Sequence, residues 1–158
     1  MLSDWFLEMI VKKIISGGQA GVDRAALDWA MAHQVSHGGW CPAGRKAEDG
    51  PIDAKYHLQE TGSSNYRVRT ACNARYSDAT LIINSGMLEG GTLETLRIAE
   101  REGRPVHVVD VDDGAAIEAL REWLAEIRPT VLNVAGPRES KRPGIHRAAF
   151  ALLDKAFA

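Results

Sequence analysis

The sequence predicts an α/β protein with a single Rossmann-like, three-layer domain, in which helices cover both faces of a mostly parallel sheet. Short β-rich runs alternate with segments of helical spacing along the chain. Two of these runs, "TLII" and "VHVV", are continuously apolar, as expected of strands buried on both faces. No Pro- or Ser-rich linker interrupts the 158 residues, so we expect one domain over residues 1–158, with residues 1–10 as an N-terminal extension.

The individual elements follow from the period of the apolar residues. Strands are predicted over residues 11–16, 35–40, 79–84, 105–109 and 130–134, with a weaker one near 56–60. Helical spacing predicts helices over residues 22–33, 66–76, 92–102, 114–127 and 144–157. The β-α-β-α order implies right-handed crossovers between parallel strands.

Composition excludes several classes of protein. A net charge of −2 gives no general attraction to nucleic acid or to anionic membranes, and no apolar run approaches the roughly 18 residues that span a bilayer. The N-terminus lacks the features of a signal peptide, so we expect a cytoplasmic protein. Cys41 and Cys72 are interpreted as packed thiols, with a bridge between them as the alternative. The histidines lack metal-ligand spacing, so no metal site is expected.

Glycine-bearing loops follow several of the predicted strands. They contain "SGGQAGVD", "AGRK", "EGGT" and "AGPRES". The carboxyl ends of parallel strands meet at one edge of the sheet, and a glycine before a helix leaves backbone N–H groups open to an anion. Thr92 would add a hydroxyl, and Arg45 or Arg138 a bidentate clamp on phosphate.

Each feature also has a purely structural interpretation. A glycine pair before a helix is often only a turn, and Arg45 would then pair with acidic residues of its own loop. Asp23 would be a favourable charge at a helix start, and Arg69 part of a surface ion pair. The convergence of three glycine loops at one sheet edge favours a phosphate site. The loop "GGQAGVD" matches neither GxxxxGK[ST] nor GxGxxG, which disfavours a Walker-type nucleoside triphosphatase and a dinucleotide-binding enzyme.

Five segments together resemble a known family. They are "SGGQAGVDRAALDWA", "HGGWCPAGRKAEDGPI", "SNYRVRTACNARYSDATLII", "EGGTLETL" and "LNVAGPRESKRPGI". In this order they are similar to the molybdenum carrier family, a circularly permuted branch of the Rossmann-like SLOG superfamily. That superfamily also contains the phosphoribohydrolases that release cytokinins, known as lysine-decarboxylase-like proteins. The resemblance runs from about Val11 to the C-terminus.

The resemblance implies a site. It places the first glycine loop and the "EGGT" loop beside a ligand phosphate, turns Arg69 and Asn73 toward the pocket, gives Asp78 a supporting role, and returns Pro137 and Ser140 to the pocket through the permutation. The candidate ligand-binding residues are Gly17, Gly18, Gln19, Gly21, Asp23, Arg45, Lys46, Arg69, Asn73, Gly90, Gly91, Thr92, Gly136 and Arg138. We expect valine at Gly18 or Gly91 to abolish ligand binding without disturbing the fold.

The expected function is binding or carriage of a phosphate-bearing, nucleotide-like ligand, with the molybdenum cofactor as the candidate that the resemblance implies. Its pterin or base would lie toward the loop of residues 40–48. The alternative is a phosphoribohydrolase-type enzyme on nucleoside 5′-monophosphates, with Glu94, Asp23 or Glu48 as acid or base. Glu94 falls one position short of the glutamate of those hydrolases, and one position on a helix turns a side chain by about 100°. A weaker alternative is a nucleotide sensor.

The resemblance also implies a homo-oligomer, a dimer or tetramer. The segment "LSDWFLEMI" would help to bury its interface, or would pack on its own domain.

Overall fold

A computed structural model describes residues 10–158. Residues 1–9 lie outside the described part of the chain. The expected N-terminal extension and the segment "LSDWFLEMI" therefore fall outside it, except for Ile10.

The predicted α/β class is confirmed, because strands and helices alternate through the described residues. In chain order they are β1 (Lys13–Ile15), α1 (Val22–Ala32), β2 (Ser36–Gly38), β3 (Trp40–Cys41), a short 3₁₀ turn (Ala43–Arg45), β4 (Gln59–Glu60), α2 (Tyr66–Arg75), β5 (Ala79–Asn84), α3 (Gly90–Arg101), β6 (Val106–Asp110), α4 (Ala116–Ile127), β7 (Val131–Ala135) and α5 (Ile145–Phe157).

Five strands form one parallel sheet in the order β2-β1-β7-β5-β6. The last strand of the chain, β7, lies in the middle: Leu132 pairs with Ile14 of β1, and Val134 with Leu81 of β5. Both faces are covered. Helices α1, α4 and α5 pack on one face around the largest apolar cluster, and α2 and α3 pack on the other. No helix of residues 10–158 is long and apolar enough to cross a bilayer.

The strand predicted over residues 35–40 is divided in two. Gly39 has φ +126°, a left-handed conformation that breaks the ladder, and a Cβ there would lie 2.2 Å from the Ser16 carbonyl oxygen. The chain therefore leaves β1 after Gly38. The next strand, β3, pairs instead with β4 in a separate two-stranded parallel sheet, and β4 is the weak strand predicted near residues 56–60.

We predict that Leu132→Ala lowers the free energy of unfolding by about 2–5 kcal/mol, because it opens a cavity in the middle of the sheet. Leu132 is fully buried and packs in the largest cluster. Urea denaturation measures the effect. The control is Val108→Ala on the edge strand β6, where the side chain is 38% exposed, and we expect a change below about 1 kcal/mol. Equal losses in the two variants would contradict this account of the core.

Candidate functional site

A cavity of about 680 Å³ opens at the carboxyl edge of the sheet, between the ends of β5 and β7 and the starts of α2 and α3. Eight of the candidate residues line it: Gln19, Asp23, Arg69, Gly90, Gly91, Thr92, Gly136 and Arg138. Its lining otherwise comes from the start of α2, the first turns of α3 and the loops after β5 and β7, with Asn65, Tyr66, Arg67, Thr70, Asn84, Glu89, Glu94, Thr95, Ile98, Ala135, Pro137, Lys141 and Arg142.

The start of α3 offers backbone donors to this cavity. Helix geometry leaves the N–H groups of Gly90, Gly91 and Thr92 without intrahelical partners. The N-cap residue, Glu89, makes no capping hydrogen bond, and its carboxylate instead accepts from Arg142 Nη2 at 3.0 Å. A Cβ added at Gly90 or Gly91 would meet nothing within 4 Å. These amides therefore border open space, and an anion can approach them closely.

The start of α2 is different, because the protein itself caps it. The Asn65 side chain accepts from the Arg67 N–H at 3.0 Å. A side chain of the protein therefore satisfies one of the free N–H groups at that end of the helix. Of these two helices at the cavity, α3 is the one whose N-terminus has no side-chain cap.

Two amides of the first glycine loop already have acceptors within the protein. The Gly18 N–H donates to Ser16 Oγ at 3.3 Å, and the Gln19 N–H to Asp23 Oδ2 at 3.3 Å. Gly17, Gly18 and Gly21 are absent from the cavity lining. Each of these glycines instead permits a close contact within the protein: a Cβ would lie 2.2 Å from Arg69 Nη1 at Gly17, 2.5 Å from Leu58 at Gly18 and 2.4 Å from the Pro137 carbonyl oxygen at Gly21.

One expectation about that loop is therefore wrong. Gly18 has φ +75°, and the apolar side chains of Leu58 and Ile52 lie against it. Valine at this position would be strained and would clash, so Gly18→Val perturbs the fold itself. Gly91 has neither restriction, so it is the position at which a valine tests ligand access.

Arg69 and Asp23 form a buried ion pair beside the cavity. Arg69 Nη1 lies 3.3 Å from Asp23 Oδ2, and the two side chains are only 13% and 3% exposed. Burial raises the pKa of Asp23, and the positive charge of Arg69 opposes that rise. Two buried polar atoms of the lining residues, Arg69 Nε and Gln19 Oε1, have no hydrogen-bond partner within residues 10–158.

Cations from three segments surround the ring of Tyr66. Lys46 Nζ lies 4.4 Å from the ring centroid, Arg138 Cζ 4.8 Å and Arg69 Cζ 5.7 Å. We call Tyr66 and these three cations the Tyr66 cluster. Tyr66, Arg69 and Arg138 line the cavity, whereas Lys46 contacts the ring but is not one of the lining residues.

Arg45 and Asn73 hold the loop around β3 and do not line the cavity. The Arg45 guanidinium donates to the carbonyl oxygens of Ile52 at 2.8 Å and Tyr56 at 2.8 Å. Asn73 brackets the backbone of Trp40, accepting from its N–H at 2.9 Å and donating to its carbonyl at 3.0 Å. No residue of the loop 40–48, toward which the ligand ring was expected to lie, contributes to the lining.

The carboxylates considered for catalysis lie in different places. Glu94 lines the cavity, with Oε1 3.4 Å from Arg67 Nε. Glu48 lies outside the lining and accepts from the N–H and hydroxyl of Ser140, closing the loop after β7 against the loop after β3. Asp78 accepts from the Val131 N–H at 2.8 Å, a contact that supports the sheet.

Arg142 was missed from the sequence. It donates to the Ser85 carbonyl at 2.8 Å and to the Met87 carbonyl at 3.2 Å, and it pairs with Glu89. It thereby holds the loop that leads into α3. The basic run "SKR" directly after "AGPRE" was the available signal.

Metal-binding groups do not gather in the described part of the chain. Within residues 10–158, no three His, Cys, Asp or Glu side chains are placed to hold a metal ion. Cys41 and Cys72 are both free thiols, so the alternative of a bridge between them is not realised.

Fold and cavity together define a Rossmann-like protein whose site lies at the carboxyl edge of a permuted parallel sheet. Residues 14–157 match the circularly permutated YpsA SLOG family, and the chain belongs to that family. This confirms the resemblance drawn from the sequence.

A solved structure is similar over nearly the whole chain. It is the "Putative molybdenum carrier protein" from Syntrophus aciditrophicus SB, which is 44% identical and superposes with a TM-score of 0.89, covering 94% of this chain and 96% of that one. No curated protein matches the chain.

We predict that sulfate binds more tightly as the pH falls through the pKa of Asp23, which burial holds above 3.8. Protonation removes a negative charge beside the cavity, while sulfate keeps its charge over the range from about pH 4 to 8. Asp23→Asn should flatten this profile and tighten sulfate binding at high pH by about tenfold. Isothermal titration calorimetry at several pH values measures the affinity for sulfate. Glu118→Gln, on exposed α4, is the control, and an unchanged profile in Asp23→Asn would contradict the prediction.

Proposed function

We propose that the protein binds a small phosphate-bearing, nucleotide-like ligand in this cavity and acts as a carrier. The observation that carries the proposal is the start of α3, where the amides of Gly90, Gly91 and Thr92 are uncapped and the glycines leave open space in front of them. Unpaired amides and the positive end of a helix dipole favour an anion.

The size of the cavity supports a nucleotide-sized ligand. Sites for small molecules commonly enclose about 300–1,000 Å³, and this cavity encloses about 680 Å³. A single phosphate would leave most of it empty. The apolar part of the lining, which includes Ile98, Ala135 and Pro137, would receive the pterin or base of the ligand.

The charge of the lining also favours an anion. Five cationic residues stand against three acidic ones: Arg67, Arg69, Arg138, Lys141 and Arg142 against Asp23, Glu89 and Glu94. The difference leaves an excess of two positive charges with all carboxyl groups ionised. Burial raises the pKa of Asp23, which favours the loss of its negative charge.

The molybdenum cofactor is the cargo that we propose, since the similar protein from Syntrophus aciditrophicus SB carries the name of a molybdenum carrier. The residues present fit the phosphate of that cofactor, because Gly90, Gly91 and Thr92 offer it unpaired amides. Arg69 Nε is a further donor without a partner in the described chain.

The test is calorimetric titration with AMP and with molybdopterin. We expect saturable binding of at least one of them, and Gly91→Val should weaken it at least tenfold by filling the space in front of the amides. Gly114→Val is the matched control: this glycine also has open space around its Cβ position and no positive φ, but it lies outside the lining.

Two results would contradict the proposal. One is the absence of saturable binding of either ligand to the native protein. The other is a folded Gly91→Val variant that binds as the native protein does, with thermal denaturation reporting that both glycine variants remain folded.

A hydrolase remains the second candidate, because Glu94 lines the same cavity and its side chain is 29% exposed. We predict that incubation with AMP releases no adenine, measured by liquid chromatography. Release that disappears in Glu94→Gln but persists in Glu100→Gln, on the exposed side of α3, would replace the carrier by an N-glycosidic hydrolase.

A further inference from the structure

The Tyr66 cluster concentrates positive charge on one ring. Lys46 comes from the loop after β3, Arg69 from α2 and Arg138 from the loop after β7, and all three cationic groups lie within 5.7 Å of the ring centroid. Like charges at such separations repel one another. A protein that gathers them needs something to offset the repulsion.

The contacts within the protein offset it only in part. Arg69 pairs with Asp23, whose charge also attracts Arg138, but no carboxylate within residues 10–158 is in salt-bridge contact with Lys46 or Arg138. The face of an aromatic ring attracts cations through its quadrupole, yet it carries no net charge. Tyr66 therefore holds the Lys46 and Arg138 side chains in place without supplying a negative charge, and Asp23 offsets the charge of Arg138 only from a distance.

The cluster is separate from the start of α3. One group consists of whole cations held around Tyr66, and the other of backbone amides at Gly90, Gly91 and Thr92. They belong to different segments, and neither needs the other to be in place. Both border the same cavity, whose volume of about 680 Å³ is far larger than one phosphate group.

We propose that the ligand carries two anionic groups and belongs to the class of diphosphate esters, with one group at the start of α3 and the second at the Tyr66 cluster. This inference rests on the proposed function, because it names the class of ligand for the same cavity. The second group would pair with Arg69 and Arg138, which line the cavity, and with the nearby charge of Lys46, all of which are already held beside Tyr66.

The test compares AMP with ADP, and inorganic phosphate with pyrophosphate, by calorimetric titration. We expect ADP to bind at least about tenfold more tightly than AMP, and pyrophosphate more tightly than phosphate, because one more charged hydrogen-bonding group is satisfied. Arg138→Met should weaken ADP binding about tenfold or more and weaken AMP binding by a clearly smaller factor, because Arg138 lies at the second anion position. Lys46→Met should act in the same direction with a smaller effect.

Methionine preserves much of the side-chain packing on Tyr66 and removes only the charge. The control is Arg101→Met, in the exposed last turn of α3, which should alter neither affinity. Thermal denaturation checks that each variant is folded.

The outcomes separate this inference from the proposed function. If AMP binds and Gly91→Val abolishes its binding, but ADP binds no better than AMP, the doubly anionic ligand is excluded and the proposed function stands. An Arg138→Met variant that weakens AMP and ADP equally also overturns the inference. If neither AMP, ADP nor molybdopterin binds saturably, the proposed function itself fails.

Discussion

The site depends on the close approach of three backbone segments at the carboxyl edge of the sheet. The loop after the central strand β7 passes between the ends of β5 and β1. A Cβ at Gly136 would lie 2.2 Å from the Ile83 carbonyl oxygen, and the Val22 N–H donates to the Pro137 carbonyl at 3.2 Å. A side chain at Gly21 or Gly136 would collide with the neighbouring backbone. The loop after β7 could then not pack at this edge of the sheet, and Arg138 would not reach Tyr66. The central position of β7, set by the permuted order of strands, is therefore what brings the cations of the C-terminal loop to α3.

Two kinds of glycine meet at this edge, and they have opposite roles. Gly17, Gly21 and Gly136 let parts of the protein approach closely, because a Cβ at any of them would overlap a neighbouring group. Gly90 and Gly91 leave space in front of them, so their backbone faces whatever enters the cavity. A substitution at the first kind disturbs packing, whereas one at the second kind blocks access. This distinction explains why the glycines of the first kind are needed for packing, whereas Gly90 and Gly91 are candidates for phosphate binding.

The fold class was predictable because the spacing of apolar residues and the alternation of strands and helices along the chain can be read from short stretches of sequence. The convergence of Asp23 and Arg138 on one cavity was also predictable, because parallel strands end at the same edge, whereas the place of Arg69, within α2, followed only from the resemblance. Which glycine amides stay free was not, since it depends on acceptors such as Asp23 Oδ2 and on the absence of a capping side chain at Glu89. The division of the strand at residues 35–40 depended likewise on a contact between Gly39 and Ser16, 23 positions apart in the chain.

The roles of the cationic side chains were likewise not predictable from local sequence. Arg45 and Arg138 both follow a glycine-bearing loop, and nothing in their sequence neighbourhood separates them. Backbone carbonyls surround the guanidinium of Arg45, which makes it an anchor of the loop before β4. The guanidinium of Arg138 instead lies over the face of Tyr66 and near the charge of Asp23. The two arginines differ in the groups that distant parts of the chain place around each guanidinium, and a local sequence motif does not reveal those groups.

A carrier has to release its cargo as well as hold it, and the burial of the charged groups bears on both requirements. At the rim, the side chains of Arg67 and Glu89 are 71% and 62% exposed, so water screens their ion pairs and opening them costs little. In the interior, the Asp23–Arg69 pair is almost fully buried and holds the wall in one geometry. Affinity would then come from the fixed interior, the amides of α3 and the Tyr66 cluster. Exchange would proceed through the rim without unfolding any element of the sheet.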